Sequence, residues 1–207
     1  MNTTHPPSPS TPPRPMPEFS SPTPDSQSVF HAMLEAMSRP GRIANFGDFP
    51  EPPFPLYPST AAICLGLADF ETPLWIDGAI AASAQTVNHL KFHCACPITN
   101  TPGEARTALL ADPLGSADLA RFCPGSDEQP EISTTVIVQV ETLEEGSGKR
   151  LYGPGINGTT KLSVGGVPER FWSSLRENHT LSPRGVDVIL CARNTIVCLP
   201  RTTRVGQ

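Results

Sequence analysis

Lysine is scarce in this chain: of fifteen cationic side chains in 207 residues only Lys91, Lys149 and Lys161 are lysines. Twenty acidic residues leave a formal charge of −5, which excludes the basic footprint needed for nonspecific binding to nucleic acid or anionic lipid. No uninterrupted apolar run reaches the ~18 residues of a bilayer-spanning helix. The amino end has no basic start followed by an apolar stretch, so no secretory signal and a cytoplasmic location are expected. G-x-x-x-x-G-K-[ST] does not occur, nor does a G-x-G-x-x-G placed between an expected strand and an expected helix, and Gly153-Pro154-Gly155 and Gly165-Gly166 read as sharp turns instead of phosphate loops. There is no G-x-S-x-G elbow for a nucleophilic serine. The six cysteines include no paired C-x-x-C, and without an export signal they are expected as reduced, small hydrophobes.

Proline is abundant. The first 24 residues hold nine prolines and eight serines or threonines, a composition with nothing to bury. Residues 1–27 are therefore expected to be a disordered tail. Residues 28–207 are long enough for one domain with an unaided core. A second proline-dense stretch, 46–58, has five prolines and three phenylalanines and reads as a packed, irregular connection.

Periodicity predicts a helix over Asp25–Met37, with Phe30, Met33, Leu34 and Met37 as its apolar stripe. Asp25, Ser26 or Ser28 would cap its start, and Pro40-Gly41 would stop it. Further helices are expected over 61–68, 84–92, 116–122 and 168–178, and strands over 72–76 and 105–111. Thr134–Val140 is the strongest strand, β-branched and apolar on both faces, hence central. Arg150–Tyr152 is expected as its partner. Segments 185–192 and 195–199 should form a hairpin turning at Arg193-Asn194. Interleaved helices and strands predict an α/β class with a mixed sheet flanked by helices.

His93-Cys94-Ala95-Cys96 has ligand types that suit zinc. One run supplies at most three ligands, however, and an extended backbone would put Cys94 and Cys96 on one face and His93 on the other. Two buried thiols beside a hydrogen-bonded histidine, with no metal, is the preferred reading. Pro200-Arg201-Thr202-Thr203-Arg204 offers guanidinium forks and hydroxyls that match an anion, or an arginine that pins the carboxyl end. Arg39 and Arg42 have the same two readings. His89, His93, His179, Asp69, Asp77, Glu131 and Asp187 could move protons, but no paired spacing selects among them.

Five short strings complete the reading: Ala36–Gly41 (A-M-S-R-P-G), Leu67–Trp75 (L-A-D-F-E-T-P-L-W), Lys91–Pro97 (K-F-H-C-A-C-P), Tyr152–Ile156 (Y-G-P-G-I) and Leu199–Val205 (L-P-R-T-T-R-V). In this order they resemble the H subunit of the bacterial carbon–phosphorus (C–P) lyase system, the PhnH family, over about residues 28–205. Phe92, His93 and Pro97 carry the third string; its cysteines lie outside the family pattern, and the proline-rich front is an addition to it.

The resemblance implies a fold similar to the pyridoxal-phosphate-dependent transferases without a functional cofactor site, and no cofactor. It also implies a homodimer working with G, I and J subunits in alkylphosphonate catabolism. There the phosphonate displaces adenine from ATP to leave ribose 1-phosphonate 5-triphosphate, before a radical reaction on the J subunit cuts the C–P bond. The H subunit would be accessory, with no assigned catalytic residue. Arg201, Thr202, Thr203, His93 and Arg39 are its candidates for an interface or for an anion such as phosphonate or nucleotide. Two alternatives remain. One is an independent pyridoxal-phosphate transferase, which needs a buried lysine; the other is a stand-alone anion- or metal-binding protein centred on His93 or Arg201.

Overall fold

The computed structural model describes residues 22–45, 47–116 and 118–206; most of the expected tail lies outside them. Its last part does not. Helix α1 spans Pro22–Ser38 and so starts inside the stretch expected to be disordered, because prolines are tolerated in a first helical turn where the missing N–H has no partner to lose.

A seven-stranded sheet organises the molecule, in the order β1-β9-β8-β5-β4-β2-β3. Its strands are β1 (Ala44–Asn45), β2 (Leu74–Ile76), β3 (Ile98–Thr99), β4 (Thr107–Leu110), β5 (Thr135–Gln139), β8 (Asp187–Ala192) and β9 (Thr195–Leu199). β3, β2, β4, β5 and β8 run parallel, whereas β9 and β1 add antiparallel. The expected mixed α/β sheet is therefore present. β5 sits at its centre, and the β8–β9 hairpin turns at Arg193-Asn194.

Alternation along β5 builds two cores. Val136 and Val138 face one side and Ile137 the other, all fully buried, which contributes about 1.5–3 kcal/mol per side chain. The Ile137 face is covered by α1, α2 (Pro58–Leu67), α3 (Gly78–Ala81) and α4 (Ala84–Cys94). The Val136 face is covered by α6 (Glu169–Thr180), through Phe171, Trp172 and Leu175, and by a second sheet. A one-turn helix, α5 (Pro113–Ser116), follows β4, and a 3₁₀ turn at Leu119–Arg121 follows that. These two pieces replace the single helix expected over 116–122.

Two expectations need correction. The buried face of α1 is Val29, Met33 and Ala36, while Phe30 and Leu34 are 46% and 50% exposed. Gly66 of α2 explains the rotation: an added Cβ there would lie 3.0 Å from Val29 Cγ1, so the two helices approach along the Val29–Met33 line. Arg150–Tyr152 is not a neighbour of β5. It ends an eleven-residue strand, β6 (Thr142–Tyr152), in the second sheet β10-β6-β7, with β7 at Thr160–Gly165 and β10 at Arg204–Val205. Glu145 and Lys149 both face Leu162, so Gly146–Gly148 bulges out of β6. Only Leu151, Leu162 and Val205 of this sheet are buried apolar residues, too few to announce it in the sequence.

Candidate functional site

The five parallel strands have the order of a doubly wound sheet, in which ligands bind beyond the carboxyl ends of the strands where the connections reverse direction. That point lies between β2 and β4, and Asp77 occupies it. Its Oδ2 accepts from Ala111 N at 2.8 Å and Asp112 N at 2.7 Å, and its Oδ1 from Ile80 N at 3.0 Å. Three main-chain donors that could have held a ligand anion hold the protein's own carboxylate, which is 1% exposed. At the end of β5, Gln139 accepts from Tyr57 N at 2.7 Å and donates to Pro55 O at 2.8 Å, and so fastens the proline-rich connection over the strand end.

Arg201 lies at the opposite end of the strands, and all of its guanidinium nitrogens are engaged. Nε and a terminal nitrogen donate to Asp187 at 3.2 and 2.6 Å, the other terminal nitrogen donates to Pro130 O at 2.6 Å, and Ser133 Oγ accepts at 2.7 Å. Its backbone N–H donates to the same carboxylate at 2.8 Å. One side chain thus joins the exit of β9, the start of β8 and the turn leading into β5. Asp187, one of the candidate proton carriers, is held in an ion pair with this arginine. Nearby, Asn178 of α6 accepts from Val186 N at 2.8 Å and donates to Val186 O at 2.9 Å, pairing with the chain as a strand would.

Three of the five strings meet beside this hub. A Cβ on Gly155 would strike Ser38 O, and one on Gly153 would come within 2.9 Å of Thr202 O. Gly41, at φ +79°, abuts Leu151 and Thr160 and donates to Cys198 O at 3.2 Å. Thr203 is buried and donates its N–H to Pro200 O at 2.7 Å, Thr202 is half-buried, and Arg204 lies 4.9 Å from the centre of the Tyr152 ring. Arg39, at the end of α1, forms an exposed 3.1 Å pair with Glu35, of a kind that contributes little. Ser38–Gly41, Gly153–Gly155 and Thr202–Thr203 therefore form a joint between the two sheets.

The remaining strings meet at the β3 edge. Asp69 Oδ1 accepts from Glu71 N at 2.9 Å and Thr72 Oγ1 at 2.7 Å, which accounts for the D-x-x-T spacing and holds this carboxyl below its usual range. Leu74 N donates to Pro97 O at 2.8 Å, stitching the second string to the third. Cys94 closes α4, and Ala95, at φ 54°, turns the chain so that Cys96 returns to the core. The extended geometry expected for this run is absent, yet both thiols are buried as anticipated. Cys94 donates to Cys96, which raises the first thiol and lowers the second. Burial raises Cys64 and Cys198 and pushes Cys191 up to about 12.

His93 is half-buried and lies beside His89 with ring centres 4.4 Å apart. Burial first, and His93 second, push His89 down to about 4. The candidate residues are thus not gathered into one site: Arg201, Thr202 and Thr203 belong to the hub and joint, Arg39 to the end of α1, and His93 to the far sheet edge. A cleft of about 240 Å³ beside α6, lined by Leu119, Phe122, Pro124, Leu181 and Val186, contains none of them. Among the described residues no three His, Cys, Asp or Glu side chains converge as a metal cage, and no helix is long and apolar enough to cross a membrane. Asp77 and Gln139 were the positions least visible in advance, since apart from Ile80 their partners lie 34 or more residues away.

Comparison with known proteins agrees with the strings. Residues 17–206 match the family of bacterial phosphonate metabolism proteins, PhnH. The alpha-D-ribose 1-methylphosphonate 5-triphosphate synthase subunit PhnH of Rhizobium meliloti (strain 1021) is 34% identical over 189 residues, 91% of this chain and 94% of its own length. HtxG of Stutzerimonas stutzeri, a candidate C-P lyase subunit, is 32% identical over 185 residues, 88% of this chain and 87% of its own. The chain belongs to the PhnH family of bacterial phosphonate metabolism proteins.

Proposed function

We propose that this chain is an accessory subunit of a C–P lyase core complex. It assembles with G, I and J subunits as a homodimer and supports the conversion of ATP and an alkylphosphonate to ribose 1-phosphonate 5-triphosphate. The observation that carries the reading is the use to which the family strings are put: Arg201 is consumed in tying β9, β8 and the turn into β5 together, and the three-string joint in holding the two sheets together. A side chain whose every nitrogen is engaged inside the chain serves assembly before it serves chemistry. The similarity of the Rhizobium meliloti subunit, whose name specifies a synthase of this product, supplies the reaction.

A scaffold like that of the pyridoxal-phosphate transferases, without a working cofactor site, fits the placement of the lysines. Lys149 pairs with Glu169 at 2.9 Å, and Lys91 and Lys161 are exposed. An independent transferase would need one of them in a pocket to form the cofactor's imine, which disfavours that alternative. Arg201 as an anion site would require the guanidinium to leave Asp187, Pro130 and Ser133. A homodimer acting in the cytoplasm completes the proposal.

The test is complementation. A Rhizobium meliloti strain lacking its own H subunit, supplied with this chain, should regain growth on methylphosphonate as sole phosphorus source. No growth despite soluble expression of the chain would contradict the subunit reading.

A further inference from the structure

Within the third string, the run His93–Cys96 brings only one imidazole and two thiols close in sequence. The helix changes the membership of that cluster. α4 extends to Cys94, which puts His89 and His93 at i and i+4 on one face, the spacing at which a single helix presents two imidazoles to one ion. With metal–nitrogen bonds of about 2.0–2.1 Å, two imidazoles in adjacent positions on one ion have ring centres roughly 4.5–5 Å apart; here they are 4.4 Å apart. Nδ1 of His89 is buried without a hydrogen-bond partner, an uncommon state for a buried polar atom. The unoccupied ring capacity is therefore already on the protein.

We propose that His89 and His93 form a two-nitrogen chelate for a divalent transition-metal ion of the copper(II) or zinc(II) class, with water in the remaining positions. Borderline cations of this kind prefer imidazole, whereas calcium and magnesium require oxygen. The thiols of Cys94 and Cys96 are turned into the core and take no part. With no third protein ligand, the site is a weak, open chelate and not a structural zinc cage.

The test uses the full, tag-free chain, stripped with a chelator and titrated calorimetrically with copper(II) and separately with zinc(II). One equivalent of each should bind, copper more tightly. Loss of even an outer hydrogen-bond partner of a ligand weakens metal sites by about 10–100-fold, so His89→Ala or His93→Ala should weaken binding by at least that much. The double variant should abolish it, and Cys94→Ser and Cys96→Ser should leave it unchanged. Electron paramagnetic resonance of the copper-loaded unmutated chain should show two equatorial nitrogens, a readout that does not depend on any variant folding. Absence of nitrogen coupling, binding that survives the double variant, or binding that depends on either cysteine would overturn the proposal.

Discussion

The joint between the two sheets and the edge at β3 are both assembled from family strings, yet they are built in opposite ways. At the joint, glycines sit where a methyl group has no room, and every guanidinium nitrogen of the adjacent Arg201 is engaged. At the edge, Phe70 and Phe92 are 73% and 76% exposed, and a histidine nitrogen lacks a partner. The first region spends its unusual residues on geometry. The second fixes its backbone with Asp69 and the Leu74–Pro97 bond and leaves rings at the surface. A shared motif is thus no guide to role until its contacts are known: Arg201 has the more obvious binding chemistry, and His93 is the more available.

This contrast can be broken most decisively at Arg201. Arg201→Ala leaves Asp187 without its counter-charge, and loss of one partner from a mostly buried pair should cost about 2–4 kcal/mol, read as a lower urea midpoint. Arg201→Lys should recover little of it, because an ammonium cannot reproduce the planar fork. Full stability in Arg201→Ala would remove the joint account and free the residue for a ligand.

Gly155 and Gly158 sharpen the comparison within one loop. Both have positive φ, +81° and +71°, but only Gly155 is crowded, with nothing within 4 Å of a Cβ at Gly158. Left-handed backbone costs a non-glycine residue about 1–2 kcal/mol. Gly158→Ala should lose about that in urea unfolding, and Gly155→Ala about 1–3 kcal/mol more for the contact with Ser38. Equal losses would mean that the joint is not tightly packed.

A smaller effect is expected at His89. Its folded pKa of about 4 lies below the ordinary 6.5, so between those values the unfolded chain binds the extra proton. The stabilising contribution is complete above about pH 6.5 and is lost as pH falls toward 4. His89→Gln should flatten the decline in stability over that window; an unchanged pH profile would contradict the burial of this ring. The smallest effect should come from Phe70→Ser and Phe92→Ser, each within about 0.5 kcal/mol of the parent in urea unfolding. A larger loss would show that the edge is as structural as the joint.

Much of the architecture was legible in the sequence because it is local. Val136–Val138 announces a central strand by being β-branched on both faces, and Arg193-Asn194 marks a turn between two apolar runs. The second sheet was missed because β6 reads Thr-Leu-Glu-Glu-Gly-Ser-Gly-Lys-Arg-Leu-Tyr, with a single fully buried residue, Leu151, to betray it. The stripe of α1 was misplaced by one position because Val29 and Phe30 are equally apolar, and only Gly66 on another helix decides between them. The site was less legible than the fold. His89 and His93 pair only once the helix is known to pass through both, and Asp77 is defined by amides from a loop that follows a different strand.

The most direct measurement is to co-express this chain with G, I and J subunits from one organism, recover it by a tag on another subunit, and determine the native mass. The account predicts a stable complex containing two copies of this chain. A chain that is folded and dimeric by itself but never recovered with G, I and J subunits under gentle salt would contradict the subunit role, although membership of the family would stand.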